Sequence, residues 1–167
     1  MSVAARVDSD TQLARLLQIG VVLEEVVEAR AARHYQQLPA DEREPAIEAL
    51  LEDARVESAD HRDRLEGLVA ALDADSIPFE DVSELVAEQY VPPGDTDGVL
   101  YDQLHGEETA YKFYADLITA IEEGDSQFSV DREHLLTTLR ELRDDEAAGV
   151  EEVARLMGST DGGGGDA

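Results

Sequence analysis

Glu107-Glu-Thr-Ala-Tyr-Lys-Phe-Tyr114 sets a carboxylate and a phenol seven residues apart, and the earlier stretch Glu28-Ala-Arg-Ala-Ala-Arg-His-Tyr35 repeats the spacing. Seven residues is close to two turns at 3.6 residues per turn, so in each stretch the acid and the tyrosine share one helix face. That face also carries leucines and valines. An ionised carboxylate costs several kcal/mol to bury unless a positive charge meets it. An acid repeated on an apolar stripe therefore points to a shared cation or an internal arginine.

Both stretches lie inside longer runs of helical periodicity. The first run goes from about Thr11 to Leu38, opened by a Ser9 or Asp10 cap and closed by Pro39; its seam is Ala14, Leu17, Val21, Glu24, Glu28, Ala31, Tyr35 and Leu38. The second starts near Asp41, carries Pro45 in its first turn and reaches about Leu72. Its seam is Ile47, Leu51, Ala54, Ser58, His61, Leu65, Leu68 and Leu72. The third spans about Gly98 to Glu123 with Gly124 as C-cap, and its seam is Leu100, Gln103, Glu107, Ala110, Tyr114, Leu117 and Ile121. The fourth, Asp131 to Met157, reads Leu135, Leu139, Leu142, Glu146, Gly149, Val153 and Leu156.

At 1.5 Å per residue each helix is roughly 40 Å long, so four can lie side by side. Short connections around Pro39 and across 124–130 make neighbours of helices one and two and of helices three and four. Between helices two and three lies a long crossover, Asp73 to Asp97, with a small helical stretch from Phe79 to Gln89 and a break at Pro92-Pro93-Gly94. The expected fold is all-α: an antiparallel four-helix bundle over residues 1–157 with a long crossover between helices two and three. Residues 158–167, rich in glycine, read as a disordered tail.

Each seam carries one polar intrusion near its middle: Glu28, His61 (with Glu57 and Ser58 a turn before), Glu107 and Glu146. Midpoints of antiparallel helices of similar length meet, so these side chains are expected in one layer. Carboxylates with an imidazole suit iron or manganese. Here the third-helix stretch resembles the corresponding motif of rubrerythrins, and residues 11–157 are similar in layout to the ferritin-like di-iron carboxylate superfamily. The resemblance implies Glu28 and Glu107 as the carboxylates of helices one and three, His61 as the histidine of helix two, and Glu146 as the glutamate of helix four. Tyr35 and Tyr114 would stand behind the ligands, orienting carboxylates or carrying an electron.

In that superfamily helices two and four each give Glu-x-x-His, and two positions here depart from the pattern. Three residues before His61 stands Ser58, with Glu57 one step off register, and three residues after Glu146 stands Gly149. The expected ligand set is Glu28, Glu57, His61, Glu107 and Glu146, with Asp145 or Glu24 as possible additions, around one or two ions. Glu24 could equally face solvent. His34, His105 and His134 read as surface residues. Arg62 and Arg143 offer the competing arrangement, in which a guanidinium replaces the metal.

Composition frames what the layer serves. The 167 residues carry 40 acidic and 13 basic side chains, a formal charge of -27, which repels phosphates and excludes nucleic acid and anionic membrane as general partners. The single lysine, Lys112, and a pI near 4.1 resemble the composition of proteins from salt-accumulating archaea. No cysteine is present, so disulfides, thiolate metal sites and CxxC chemistry are unavailable. No segment reaches the ~20 apolar residues of a membrane span, and Met1 to Ser9 lacks a signal-peptide core. Composition points to a cytoplasmic, halophilic protein, and the resemblance to rubrerythrins implies a homodimer that binds iron or manganese inside the bundle for oxidative-stress protection or metal handling. Any peroxidase or ferroxidase activity would draw on an external electron donor, since the chain has no cysteine for a rubredoxin-like module. The alternative is a metal-free interaction or structural bundle that kept the fold and lost the site.

Overall fold

Local rules start and stop each helix. In the computed structural model, which describes residues 7–37, 40, 44–74 and 96–165, α1 spans Asp10–Gln37. Ser9 caps it: the Gln12 N–H donates to Ser9 Oγ at 3.2 Å, while Gln12 Oε1 accepts from the Asp8 N–H at 2.9 Å. Two donors that the helix start leaves open are thereby satisfied. Helix α2 is Pro45–Ala71, with proline at its first position, where the missing N–H costs nothing. Helix α3 is Thr96–Glu123, followed by the Gly124 N–H bonding back to Ile121 O. Helix α4 is Arg132–Gly165, opened by the Asp131 carboxylate accepting from the His134 N–H at 3.0 Å. The Arg132 guanidinium covers the Ile121 and Glu122 carbonyls that the end of α3 leaves open.

Four helices, and no strand among the described residues, pack as a bundle. α1 packs on α2, α3 packs on α4, and smaller contacts join α1 to α3 and α2 to α4, so the cross-section runs α1, α2, α4, α3. One tie lies at the α1 start, where the Asp10 carboxylate accepts backbone N–H bonds from Asp73 at 2.9 Å and Ser129 at 3.1 Å. The Ser129 side chain contributes most to holding the Asp10 carboxyl below its usual range, followed by the Asp73 N–H and, least, the Ser129 N–H.

The apolar stripes form two clusters. The larger includes Leu17, Leu65, Leu117, Ile121, Leu135 and Leu139; the smaller is Ile47, Leu50, Leu51, Leu100 and Val153. Burying each leucine is worth roughly 1.5–3 kcal/mol, so these clusters supply the drive that assembles the bundle. A set of buried polar residues interrupts the stripes: Glu24, Ser58, His61, Gln103, Glu107 and Glu146.

The helix expected to end at Met157 continues through Gly165. Propagation adds one hydrogen bond per residue fixed, and glycine weakens a helix by only about 1 kcal/mol per residue relative to alanine. The expected crossover features, Phe79 to Gln89 and Pro92-Pro93-Gly94, lie outside the described residues, as does Pro39.

Candidate metal centre

Each helix delivers its polar group by continuing an apolar stripe. On α1 the buried series Leu17, Val21 ends in Glu24, at a spacing of four then three residues. On α2, Ser58 and His61 sit between Ala54 and Leu65; on α3, Gln103 and Glu107 sit between Leu100 and Ala110. On α4, Glu146 follows Leu139 and Leu142 and precedes Val153. Glu24, Glu107 and Glu146 are each no more than 4% exposed and His61 is fully buried.

His61 is the centre of the arrangement. Its Nδ1 stands 3.1 Å from Glu24 Oε1 and 3.1 Å from Glu146 Oε1, while Nε2 stands 3.0 Å from Asp145 Oδ2 and 3.8 Å from Glu57 Oε1. One imidazole thus has a buried carboxylate pair on one side and a half-exposed pair on the other. The Tyr114 hydroxyl, fully buried, donates to Glu24 Oε1 at 2.6 Å. Gln103 Nε2 donates to Glu107 Oε1 at 2.8 Å, an i,i+4 bond that fixes this carboxylate from its own helix. Glu24 Oε2 is buried and, among the described residues, meets no hydrogen-bond partner.

Charge does not balance inside the layer. Burial by itself would lower the His61 pKa, but hydrogen bonds and charge from Glu24, the Asp145 hydrogen bond and the Glu57 charge outweigh it and hold it up at about 9. Burial pushes Glu146 far above the carboxylate range, and the adjoining Glu107 and Glu24 push it further. Burial likewise raises Glu107. Glu24 goes the other way: burial opposes ionisation, yet the hydrogen bond and charge of His61, the Glu146 contact and the Tyr114 hydroxyl keep it ionised. Burial, then the Glu24 charge, raises Tyr114 well above the usual phenol. At the rim, burial raises Glu57 to about 7 against the pull of His61. Protons on Glu146 and His61 are thus doing what a bound cation would do.

The buried acid of α1 stands one turn before the expected one. Glu28, expected in the layer, instead pairs with Arg62 NH1 at 2.6 Å at the bundle's edge, and Glu25 joins the same guanidinium. Glu24 takes the interior place. Arg62, expected as a rival counter-ion for the layer, is held by these two surface carboxylates, and Arg143 pairs with Asp144 instead of Glu146. Glu57 approaches His61 from the rim, and Ser58 is buried in the stripe. His105 and His134 are exposed; the side chains of His34 and Tyr35 lie outside the described residues. Gln103 stands on the third seam one turn before Glu107, a spacing that could have marked it as that carboxylate's anchor, yet the sequence expectations assign it no role.

The donor chemistry fits a metal ion. Ligand atoms from Glu24, His61 and Glu146, all buried, lie within 4.8 Å of one another, and Glu57, His61 and Asp145 form a second, partly exposed group of the same span. Hard carboxylate oxygens with one imidazole suit Mn²⁺ or Fe²⁺, and the unpartnered Glu24 Oε2 offers a free lone pair. No protein family, curated protein or solved structure matches the chain.

Proposed function

We propose that this chain is a ferritin-like, rubrerythrin-related metalloprotein: an antiparallel four-helix bundle that binds iron or manganese between its helices. The observation that carries this reading is the fully buried His61 set between Glu24 and Glu146, with a third buried carboxylate, Glu107, against Glu146. Three acids around one imidazole hold more negative charge than a protein interior tolerates without protons or a cation. The antiparallel arrangement draws support from Asp10, whose carboxylate ties the start of α1 to the residue just after α2.

Glu24, His61 and Glu146 would hold the ion, with Glu107 beside them. Tyr114 would orient Glu24, and Gln103 would orient Glu107. A bound iron or manganese ion would supply one-electron redox chemistry toward oxygen or peroxide. The chain's own part is to exclude bulk water, fix the carboxylates and take up or release the protons held by Glu146 and His61. With no cysteine, electrons would come from an external donor. The acid-rich composition fits a protein working at high salt, where a Debye length of about 3 Å at 1 M screens mutual repulsion. A homodimer in the cytoplasm remains the expected setting.

A metal-free reading draws on the same geometry, because imidazolium at His61 and a protonated Glu146 leave the layer without bound metal. Titration of chelator-treated protein with Mn²⁺ or Fe²⁺ under argon at pH 8, followed by desalting and elemental analysis, separates the two. One or two ions per chain, lost in Glu24→Gln and His61→Ala but retained in Glu28→Gln, supports the metalloprotein. No retained ion in the parent supports the structural bundle.

A further inference from the structure

Gly149 sits in the middle of α4, where helical backbone asks nothing of glycine. Among the described residues no glycine has a positive φ, and glycine inside a helix is disfavoured relative to alanine. The reason for it lies on the neighbouring helix α3. A Cβ built on Gly149 would stand 2.6 Å from Glu107 Oε2, 2.8 Å from its carboxyl carbon and 3.2 Å from Oε1. The Glu107 carboxylate therefore reaches from α3 onto the α4 backbone and fills the place a side chain would take. Gln103 holds it there from behind, and Glu146, one turn before Gly149 on α4, adjoins it.

Among the described glycines an approach under 3.0 Å occurs at Gly149, whereas a Cβ at Gly20, Gly106 or Gly124 would meet its nearest neighbour at 3.1–3.2 Å. A Cβ added to Gly67 on α2 or to Gly158 on α4 would meet nothing within 4 Å. Gly149 and Glu107 together also line a cavity of about 310 Å³ whose wall includes Glu57 and Asp145, the rim carboxylates of His61. Glu107 thus lines that cavity and adjoins the buried Glu146.

We propose that Gly149 is a positioning residue for the metal centre: by offering no side chain, it lets the Glu107 carboxylate cross to α4 and stay beside Glu146 at the wall of the cavity. This rests on the metal-binding reading above. The position that lacks a side chain in the ligand pattern thereby becomes the seat of a carboxylate from the neighbouring helix. The group in conflict with a new methyl is the far end of one flexible side chain, so Gly149→Ala is expected to fold, with Glu107 displaced from the layer and its bond to Gln103 strained.

The test uses the full chain and two readouts. Thermal melting of chelator-treated protein compares Gly149→Ala with Gly67→Ala, both glycine-to-alanine changes within helices. Gly67→Ala is expected to raise Tm, and Gly149→Ala to lower it. Equal increases would overturn the inference without reference to any metal. Mn²⁺ titration then compares the parent with Gly149→Ala, Glu107→Asp and the double variant. Displacing a carboxylate from its seat is expected to weaken Mn²⁺ binding about tenfold or more, the scale seen when groups that orient ligands are altered. Glu107→Asp shortens the side chain and clears the methyl, so the double variant is expected to bind more tightly than Gly149→Ala alone. A Gly149→Ala protein that binds Mn²⁺ as the parent does, or a double variant weaker than both singles, would overturn the inference. A parent that takes up no Mn²⁺ would overturn the metal-binding reading instead, and the melting comparison would still decide the geometry.

Discussion

The stretches Glu28–Tyr35 and Glu107–Tyr114 look like copies, yet Glu107 enters the interior and Glu28 does not. α3 is buried on one face from Leu100 to Ile121, and both Glu107 and Tyr114 belong to that face. On α1 the buried series runs to Glu24, and one turn on Glu28 meets Arg62 at the edge. On α1 the outcome depends on what α2 sets against it. His61 turns inward to Glu24, while Arg62, one residue on and about 100° around the helix, draws Glu25 and Glu28 to the edge. A seam position makes a carboxylate eligible for burial, and the neighbouring helix's cation decides whether it goes.

The largest expected effect is the contrast between the two α1 acids. In chelator-treated protein at pH 7, Glu24→Ala removes the partner of a fully buried imidazolium and should cost about 3–5 kcal/mol by urea denaturation. Glu28→Ala touches an edge ion pair and should cost no more than about 1 kcal/mol. Similar losses for the two would dissolve the comparison.

Next in size is the pH dependence of the metal-free chain. The His61 pKa is raised from 6.5 to about 9, so its contribution is fully present below 6.5 and is lost as pH rises through 9. At about 1.4 kcal/mol per pKa unit this amounts to roughly 3 kcal/mol. Glu57, raised from 4.5 to about 7, has the same sign: folding favours its protonated form, so stability falls as pH rises from 4.5 to 7. The midpoint of urea unfolding should therefore drop between pH 6 and pH 9. In His61→Gln the share of the drop between pH 7 and pH 9 that His61 contributes should be gone, while the buried, protonated Glu146, which has the same sign, keeps a shallower decline. Metal-bound protein should show the opposite trend in affinity, since ligands must shed protons, with tighter binding as pH rises toward 9.

Tyr114→Phe is a smaller change. It removes the 2.6 Å hydrogen bond to an ionised, buried Glu24 and should cost about 1.5–3 kcal/mol, with Tyr111→Phe on the exposed face of α3 as a control near zero. The smallest expected stability change has the largest functional consequence. Glu146 is kept protonated, so Glu146→Gln retains its shape and charge state and should shift metal-free stability by less than about 1 kcal/mol. The same substitution should abolish tight Mn²⁺ binding, because an amide cannot ionise to balance the cation.

Helical structure was legible because its causes are local. Periods of 3.6 residues, the Ser9 and Asp131 caps, Pro45 at a first position and Gly124 past an end are all written in adjacent residues. The buried stripes of α2, α3 and the first part of α4 follow the seams read from the sequence, as do His61, Glu107 and Glu146 as buried polar residues. What stayed hidden depends on how one helix is rotated and shifted against another. Glu24 and Glu28 lie on the same seam one turn apart, and nothing within α1 ranks them. Arg62 ranks them, from α2. Gly149 reads as a missing ligand along α4 and takes its meaning from a carboxylate on α3. The C-terminal glycines, read as the end of order, carry helical backbone to Gly165 because the ladder extends from residues that already have it.

The central claim is that the layer of Glu24, His61, Glu107 and Glu146 is built around a metal ion. Crystals of the parent protein grown with Mn²⁺, measured above and below the manganese absorption edge, test it directly. The expected result is an anomalous peak within bonding distance of His61 Nδ1 and the carboxylates of Glu24 and Glu146, with the Nδ1 contacts to those oxygens replaced by bonds to the ion. Anomalous peaks confined to surface carboxylates, with the His61 contacts unchanged, would contradict it.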